Sequence, residues 1–405
     1  MKILSRWLAF FFGTLLFLPS LVLARDSVSF APDDILVKFK SEVTPDSRRE
    51  LYRQMGTSLR SRIDQLDIED VQIPTGRVEE LVAKFRADPR VEYAEPNYIA
   101  QALIETNDPY LLPNQWNIYK IQAAGTGDSA WNHSTSSAAI KIAVIDTGID
   151  QNHEDISSKV VDSHNCTSSP TLDDLYGHGT HVAGIAAAST NNSIGVAGVG
   201  YTASLINAKA LGDNGSGYYS WIADCITWAA NNGAKVINMS LGAPRKSRAL
   251  EDAVNYAWNH GVVLVAAAGN SGNSSPTYPA YYTNVIAVAA TDNNDAKPSW
   301  SSYGRWVDVA APGVNVWSTF PNHSNVLGKT NYGYGSGTSM ATPHVAGLSA
   351  LIWTSPYNST NTQVRRQIEG TADKIRGTGS YWTFGRINAL RAVSVSAPVS
   401  TIRIH

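Results

Sequence analysis

Apolar residues recur along this chain with two periods, and each period predicts its own kind of element. Val78, Leu81, Val82 and Phe85 fall at i, i+3, i+4 and i+7, the stripe of an amphipathic helix. Residues 45–56 are charged and helical in spacing, Ile35-Leu36-Val37-Lys38-Phe39 reads as a strand, and Leu66 to Ile73 alternates. Val91-Glu92-Tyr93 and the extended Glu95-Pro96-Asn97-Tyr98 complete a β-α-β-α-β order with room for one more strand. This predicts a small α+β domain of the ferredoxin-like kind.

Beyond about residue 107 the pattern changes. Nearly continuous apolar runs at 140–145, 205–208, 236–239, 262–267 and 285–289 predict strands, and helices fit 180–189, 220–231, 247–260 and 341–353. Buried strands separated by helices imply α/β architecture, a mostly parallel central sheet with helices on both faces. In such a sheet the ligand crevice lies beyond the carboxyl ends of the strands. Asp146 ends the apolar run in KIAVIDTG, Ser240 follows KVINM and Asn270 ends VVLVAAAGN, so three polar groups collect where a ligand would sit.

The first 24 residues differ in kind. Lys2 and Arg6 precede an apolar run from Trp7 to Leu23 that ends in Val22-Leu23-Ala24, the form of a secretory signal peptide cut after Ala24. Gly13 and Pro19 interrupt the run, which disfavours a membrane anchor. The expected product is exported and leaves the membrane once the signal is cut. Hydrophobic residues make up 43% of the chain and the net charge is −2, which argues against a nucleic-acid partner. Of the 66 charged side chains, 28 fall in residues 25–106 and 36 in residues 107–405. A charged segment thus precedes a charge-poor one, with the boundary near Thr106-Asn107-Asp108-Pro109. The two cysteines, Cys166 and Cys225, could pair in an oxidising compartment or stay free.

GYGSGTSMATPHVAG, residues 333–347, places Ser336, Thr338 and Ser339 in a glycine-rich loop that runs into a helix, with Pro343 expected in the first turn. By itself it is a loop with hydroxyls. A serine nucleophile needs a base, the base needs a carboxylate, and the oxyanion needs preorganised donors. His178 in YGHGTHVAG, Asp146 in IAVIDTGID and Asn270 in AAAGNSG are candidates for these roles. Each has a plainer structural reading, Asp146 as a cap and Asn270 as a turn residue. The pair His178 and His181 lacks HExxH spacing, and His181 is expected to pack against its own helix. DTGID carries neither GxGxxG nor GxxxxGK, so a nucleotide-binding enzyme is set aside.

Taken together, IAVIDTGID, HGTHVAGIAA, AAAGNSG and GTSMATPHVAG closely resemble the four signature blocks of the subtilases, in the family order, over about Asp108 to Val393. NDPYLLPNQW, LGDNGSGYYSW and WVDVAAPG are similar to the thermitase-like branch. The resemblance implies a subtilisin-like serine endopeptidase with Asp146, His178 and Ser339 as the triad and Asn270 at the oxyanion hole. It implies that Gly215, Ser216 and Gly217 and, opposite them, Ser240, Leu241 and Gly242 flank an extended peptide substrate. Ala268 and Gly269 would wall the main specificity pocket, and Thr277 would sit at its floor and make it shallow. The small domain is similar to the family's propeptide, which assists folding, is removed by the enzyme itself and inhibits it. The implied organisation is a signal peptide over 1–24, a propeptide over 25–105 and a peptidase domain over 106–405, cut between about Ala100 and Thr106 and acting as a monomer. The family's calcium (Ca2+) site maps onto Asp108, Asp155, the side chain of Asn192 and the carbonyls of Thr190, Ile194 and Val196.

Overall fold

Strand pairing in the N-terminal unit follows the alternation of its side chains. The computed structural model describes residues 30–99, 106–356 and 360–395, which form two compact units divided near residue 101. The expected leader and the expected cleavage segment at 100–105 lie outside the described residues. In the first unit β1 (Phe30–Phe39), α1 (Pro45–Met55), β2 (Ser58–Ile63), β3 (Ile68–Gln72), α2 (Val78–Ala87) and β4 (Val91–Tyr98) follow one another. The extra strand that the sequence left room for is β2. The sheet is antiparallel in the order β2-β3-β1-β4, the ferredoxin-like arrangement. Ile35, Val37 and Phe39 alternate inward from β1 and meet Leu81, Val82 and Phe85 of α2. Burying these apolar faces against each other supplies the unit's core.

The second unit opens with three short helices, α3 (Leu111–Asn114), α4 (Trp116–Lys120) and α5 (Ala130–His133). Strands and helices then alternate: β5 (Lys141–Asp146), β6 (Val160–Asn165), α6 (His178–Ala187), β7 (Ser204–Lys209), α7 (Tyr219–Asn231), β8 (Ala234–Met239), α8 (Arg248–Asn259), β9 (Val263–Ala267) and β10 (Val285–Thr291). The chain continues through β11 (Val309–Pro312), β12 (Val316–Thr319), β13 (Tyr332–Gly335), α9 (Thr338–Trp353), α10 (Asn361–Thr371), β14 (Gly385–Arg386) and α11 (Ala389–Ser394). Eight strands form one sheet in the order β14-β11-β10-β9-β8-β5-β7-β6, with every pairing parallel. β12 and β13 form a separate antiparallel ribbon.

The sheet is covered on both faces, and β5 shows why its sequence reads as an unbroken apolar run. Ile142 and Val144 enter the core beneath α6 and α9, whereas Ala143 and Ile145 enter the core beneath α7 and α8. The strand order reverses at β5, whose neighbours are β7 on one side and β8 on the other. The crevice beyond such a switch point is where an open parallel sheet binds ligands. Asp146 ends β5 and Ser240 follows β8 directly. Behind them runs α9, with fourteen of its sixteen residues buried, a helix apolar all round because it is packed all round. The two cysteines are joined, Cys166 just after β6 to Cys225 in α7.

Candidate active site

His178 is the first residue of α6, and the packing beneath it fixes where its ring lies. A Cβ on Gly179 would come 2.1 Å from the Gly148 carbonyl oxygen and 3.2 Å from the Asp146 Cβ. Only glycine lets the start of α6 approach the end of β5 so closely. That approach brings His178 Nδ1 to 2.7 Å from Asp146 Oδ1. Asp146 is fully buried, and its Oδ1 also accepts the Thr147 backbone N–H at 2.8 Å. Because the carboxylate only accepts, Nδ1 carries the proton and Nε2 is left to act as a base. Burial opposes the imidazolium, but the Asp146 charge and hydrogen bond outweigh it, so the His178 pKa stands above the ordinary histidine value.

A buried polar frame holds this pair, and no local pattern in the sequence points to it. Asp174 Oδ1 accepts from the Thr147 hydroxyl at 2.7 Å and from the Gly177 N–H at 2.7 Å, and its Oδ2 accepts from the Thr180 N–H at 2.8 Å. The Gly179 N–H donates to Thr147 Oγ1 at 2.9 Å. The first free amides of α6 are thereby satisfied by the Thr147–Asp174 pair, and a negative charge at a helix N-terminus is favourable. Lys209, fully buried at the end of β7, donates to the Thr147 carbonyl at 2.5 Å and the Asp173 carbonyl at 2.8 Å, and pairs with Asp213 at 2.8 Å. A buried lysine with three acceptors is a strut rather than a free charge.

Ser339 is the second residue of α9, which starts at Thr338, three residues before the predicted start. Pro343 is therefore in the second turn and not in the first. It has no N–H for the Ser339 carbonyl four residues back. The Ser240 hydroxyl supplies that bond instead, at 2.8 Å, while the Ser339 hydroxyl donates to the Ser240 carbonyl at 3.0 Å. Among the described residues this is the hydroxyl's hydrogen bond, and none runs to His178.

Asn270 lies after β9. Its Oδ1 accepts the Thr338 N–H at 2.9 Å and the Thr338 hydroxyl at 3.0 Å, so Nδ2 is turned the other way. A Cβ on Gly337 would sit 3.4 Å from Asn270 Nδ2 and 3.6 Å from the Ser339 amide nitrogen. The space that Gly337 leaves empty is flanked by two N–H donors. That is the environment a developing oxyanion requires.

The cleft next to His178 is lined by Gly215, Ser216, Gly217, Ser240, Leu241 and Gly242. Thr277 lies behind Gly242 and Gly269: a Cβ on Gly242 would meet Thr277 Cγ2 at 2.6 Å, and one on Gly269 would meet Thr277 Oγ1 at 3.0 Å. Ala268 differs, because its side chain is buried in a cluster with Ala289, Val307, Ala310 and Trp382. His181 also departs from expectation: its Nε2 meets the Gly333 carbonyl at 3.1 Å and its ring meets Phe320 at 4.6 Å. It packs against the β12–β13 ribbon rather than its own helix. Burial pushes its pKa down to about 3, so the ring is neutral.

A third group gathers Asp108, Asp155 and the 189–196 loop. Asp108 accepts the Asn191 N–H at 2.9 Å, and Asp155 accepts the Val196 N–H at 2.8 Å and the Asn192 side-chain amide at 2.9 Å. Both carboxylates are buried, and burial pushes Asp155 up to about 7 and raises Asp108 as well. Among the described residues the carbonyls of Thr190, Ile194 and Val196 accept no hydrogen bond. Hard oxygen donors without a counter-charge fit a calcium-type ion. Asn192 turns its nitrogen, not its oxygen, towards Asp155.

Residues 137–386 match the Subtilase family, and residues 19–97 match the fervidolysin N-terminal prodomain. A thermophilic serine proteinase of Bacillus sp. (strain AK1) is 44% identical over 372 residues, 92% of this chain and 90% of that protein. Thermitase of Thermoactinomyces vulgaris is 50% identical over 288 residues, 71% of this chain and 98% of that protein. Among solved structures, a protease from Pseudoalteromonas arctica PAMC 21717 superposes with a TM-score of 0.64 at 32% identity, over 72% of this chain and 99% of that one.

Proposed function

Because this chain belongs to the subtilase family and is a serine endopeptidase with an N-terminal prodomain, we propose that it is an exported, self-processing zymogen whose nucleophile is Ser339. One observation carries the assignment of roles: the buried Asp146 carboxylate holds His178 Nδ1 at 2.7 Å and so frees Nε2 for proton transfer. For catalysis the Ser339 side chain must turn away from the Ser240 carbonyl and towards His178. Nε2 takes the proton as Oγ attacks the peptide carbonyl, and Asp146 stabilises the imidazolium. Asn270 Nδ2 and the Ser339 N–H hold the oxyanion. The imidazolium returns its proton to the leaving amine, and water repeats the sequence on the acyl-enzyme.

Peptide substrates bind as an added strand between the 215–217 and 240–242 segments, where main-chain hydrogen bonds accept most sequences. Thr277 behind Gly242 and Gly269 keeps the main pocket shallow, and specificity is broad with a lean towards apolar side chains of moderate size. Calcium would be held by Asp108, Asp155 and the carbonyls of Thr190, Ile194 and Val196, with the Asn192 oxygen joining once its side-chain amide turns over. It would supply the counter-charge between the two buried carboxylates.

The deciding experiment is the intact mass of the exported protein, wild type beside Ser339→Ala. Loss of the leader and then of about 80 further residues by the wild type alone identifies Ser339 as a nucleophile that cuts its own chain. Retention of the small unit by both would sink the self-processing reading and favour a secreted peptide-binding relative. If both lose it, another protease does the cutting, and hydrolysis of a peptide substrate by wild type but not Ser339→Ala decides.

A further inference from the structure

Three segments distant in sequence meet at a cluster separate from the Asp146–His178 pair. Asp150 follows β5, Asp173 precedes α6, and His323 lies between β12 and β13. The ligand atoms of these side chains all lie within 4.8 Å of one another. His323 Nε2 is 3.2 Å from each carboxylate oxygen of Asp173. The other ring nitrogen, Nδ1, is 3.0 Å from the Ser324 carbonyl oxygen. A carbonyl can only accept, so Nδ1 donates to it and Nε2 is the nitrogen turned towards the carboxylates. Among the described residues no lysine or arginine pairs with either carboxylate, so the positive charge between them is either a second proton on the imidazole or a metal ion in that proton's place. Without one or the other, electron-pair donors so arranged repel one another.

We propose that Asp150, Asp173 and His323 form a binding site for a zinc-type divalent cation. An imidazole nitrogen with two carboxylates suits zinc and disfavours calcium, which takes oxygen alone. Two donors on one tetrahedral zinc stand about 3.3 Å apart, close to the 3.2 Å between His323 and Asp173. Asp150 closes the set with a shift on the order of one ångström. The ligands are already oriented from outside the cluster: Asp150 accepts the Asn152 and Asn322 N–H groups at 2.9 and 2.8 Å, and Asp173 accepts the Asp174 N–H at 2.8 Å. Such outer partners are what metal ligands require. Asp150 is fully buried, whereas the Asp173 and His323 side chains are 32% and 30% exposed, which leaves an entry path and a position for water. The bound ion ties the 320–331 loop to the segment that leads into α6.

The site involves none of the residues assigned above to proton transfer or oxyanion binding, so its test is independent of that reading. The purified protein, stopped with a serine-reactive inhibitor and held in excess calcium, is titrated with Zn2+ by calorimetry and with Co2+ by visible absorption. The expected result is one Zn2+ per chain, a Co2+ d–d band, and affinity reduced at least tenfold in both His323→Gln and Asp173→Asn. Peptidase activity of the uninhibited variants reports that they fold; if His323→Gln does not, Asp173→Asn carries the test. Equal zinc affinity in wild type and a folded variant overturns the proposal. Absence of zinc binding to the wild type overturns it too, and leaves a proton on His323 as the cation.

Discussion

Ser240 gives the Ser339 carbonyl the hydrogen bond that Pro343 cannot. The bond spans two segments 99 residues apart and fixes the second residue of α9 against the end of β8. Removing Ser240→Ala leaves the carbonyl short of a donor, at a cost of about 1–2 kcal/mol. Pro343→Ala restores a helix N–H to the same carbonyl, so Ser240→Ala costs less in that background. A double-mutant cycle on denaturant midpoints is expected to give a coupling of about 1 kcal/mol. Additive costs would mean that the two residues act independently.

Asn270 is anchored through its oxygen to Thr338 and presents Nδ2 towards the space beside Gly337. Asn270→Ala is expected to lower kcat by about 10²–10³-fold with little change in KM, because the donor acts on charge that exists only in the transition state. Steady-state kinetics on a peptide amide separates the two. A rise in KM alone would assign Asn270 to ground-state binding.

The sign of the pH dependence follows from His178. The base must be neutral, and Asp146 raises its pKa despite burial. The acid limb of kcat/KM therefore lies above the ordinary histidine value of about 6.5. Asp146→Asn removes the charge and leaves burial unopposed, so the limb moves to lower pH while the rate falls by about 10⁴-fold. A limb that does not move with Asp146→Asn would belong to another group.

At the proposed calcium site, chelation would leave the buried Asp108 and Asp155 without a counter-ion. At a calcium level one hundred times its Kd, binding contributes about 2.7 kcal/mol, so EDTA is expected to lower Tm by several degrees and hasten self-digestion. Asp155→Ala should start at lower stability and lose its response to calcium. A calcium response that survives in Asp155→Ala would move the ion elsewhere.

The Cys166–Cys225 bond closes a loop with a sequence separation of 59. By chain entropy such a cross-link is worth about 4 kcal/mol. Cys225→Ser is expected to lower the denaturant midpoint accordingly, and reductant should shift the wild type but not the variant. Equal midpoints would mean that the bond does not form in the purified protein.

The chain's local periods determined most of the framework. A strand buried on both faces has no choice but an apolar run, so β5, β8, β9 and β10 were readable; Leu81, Val82 and Phe85 likewise announced α2. β6 escaped because its side chains are only partly buried and its sequence carries no apolar run. The β12–β13 ribbon escaped because pairing with a partner defines it. The signature blocks named Asp146, His178, Asn270 and Ser339, since each lies in a short stretch whose residue types suit its chemistry. What only the tertiary structure decided is which groups meet. Asp174 and Lys209 frame the site, Ser240 answers for Pro343, Cys166 finds Cys225, and His323 faces Asp150 and Asp173. None of these has a spacing to be read, because hydrogen bonds and charges act through space while periodicity records only which face of an element is buried.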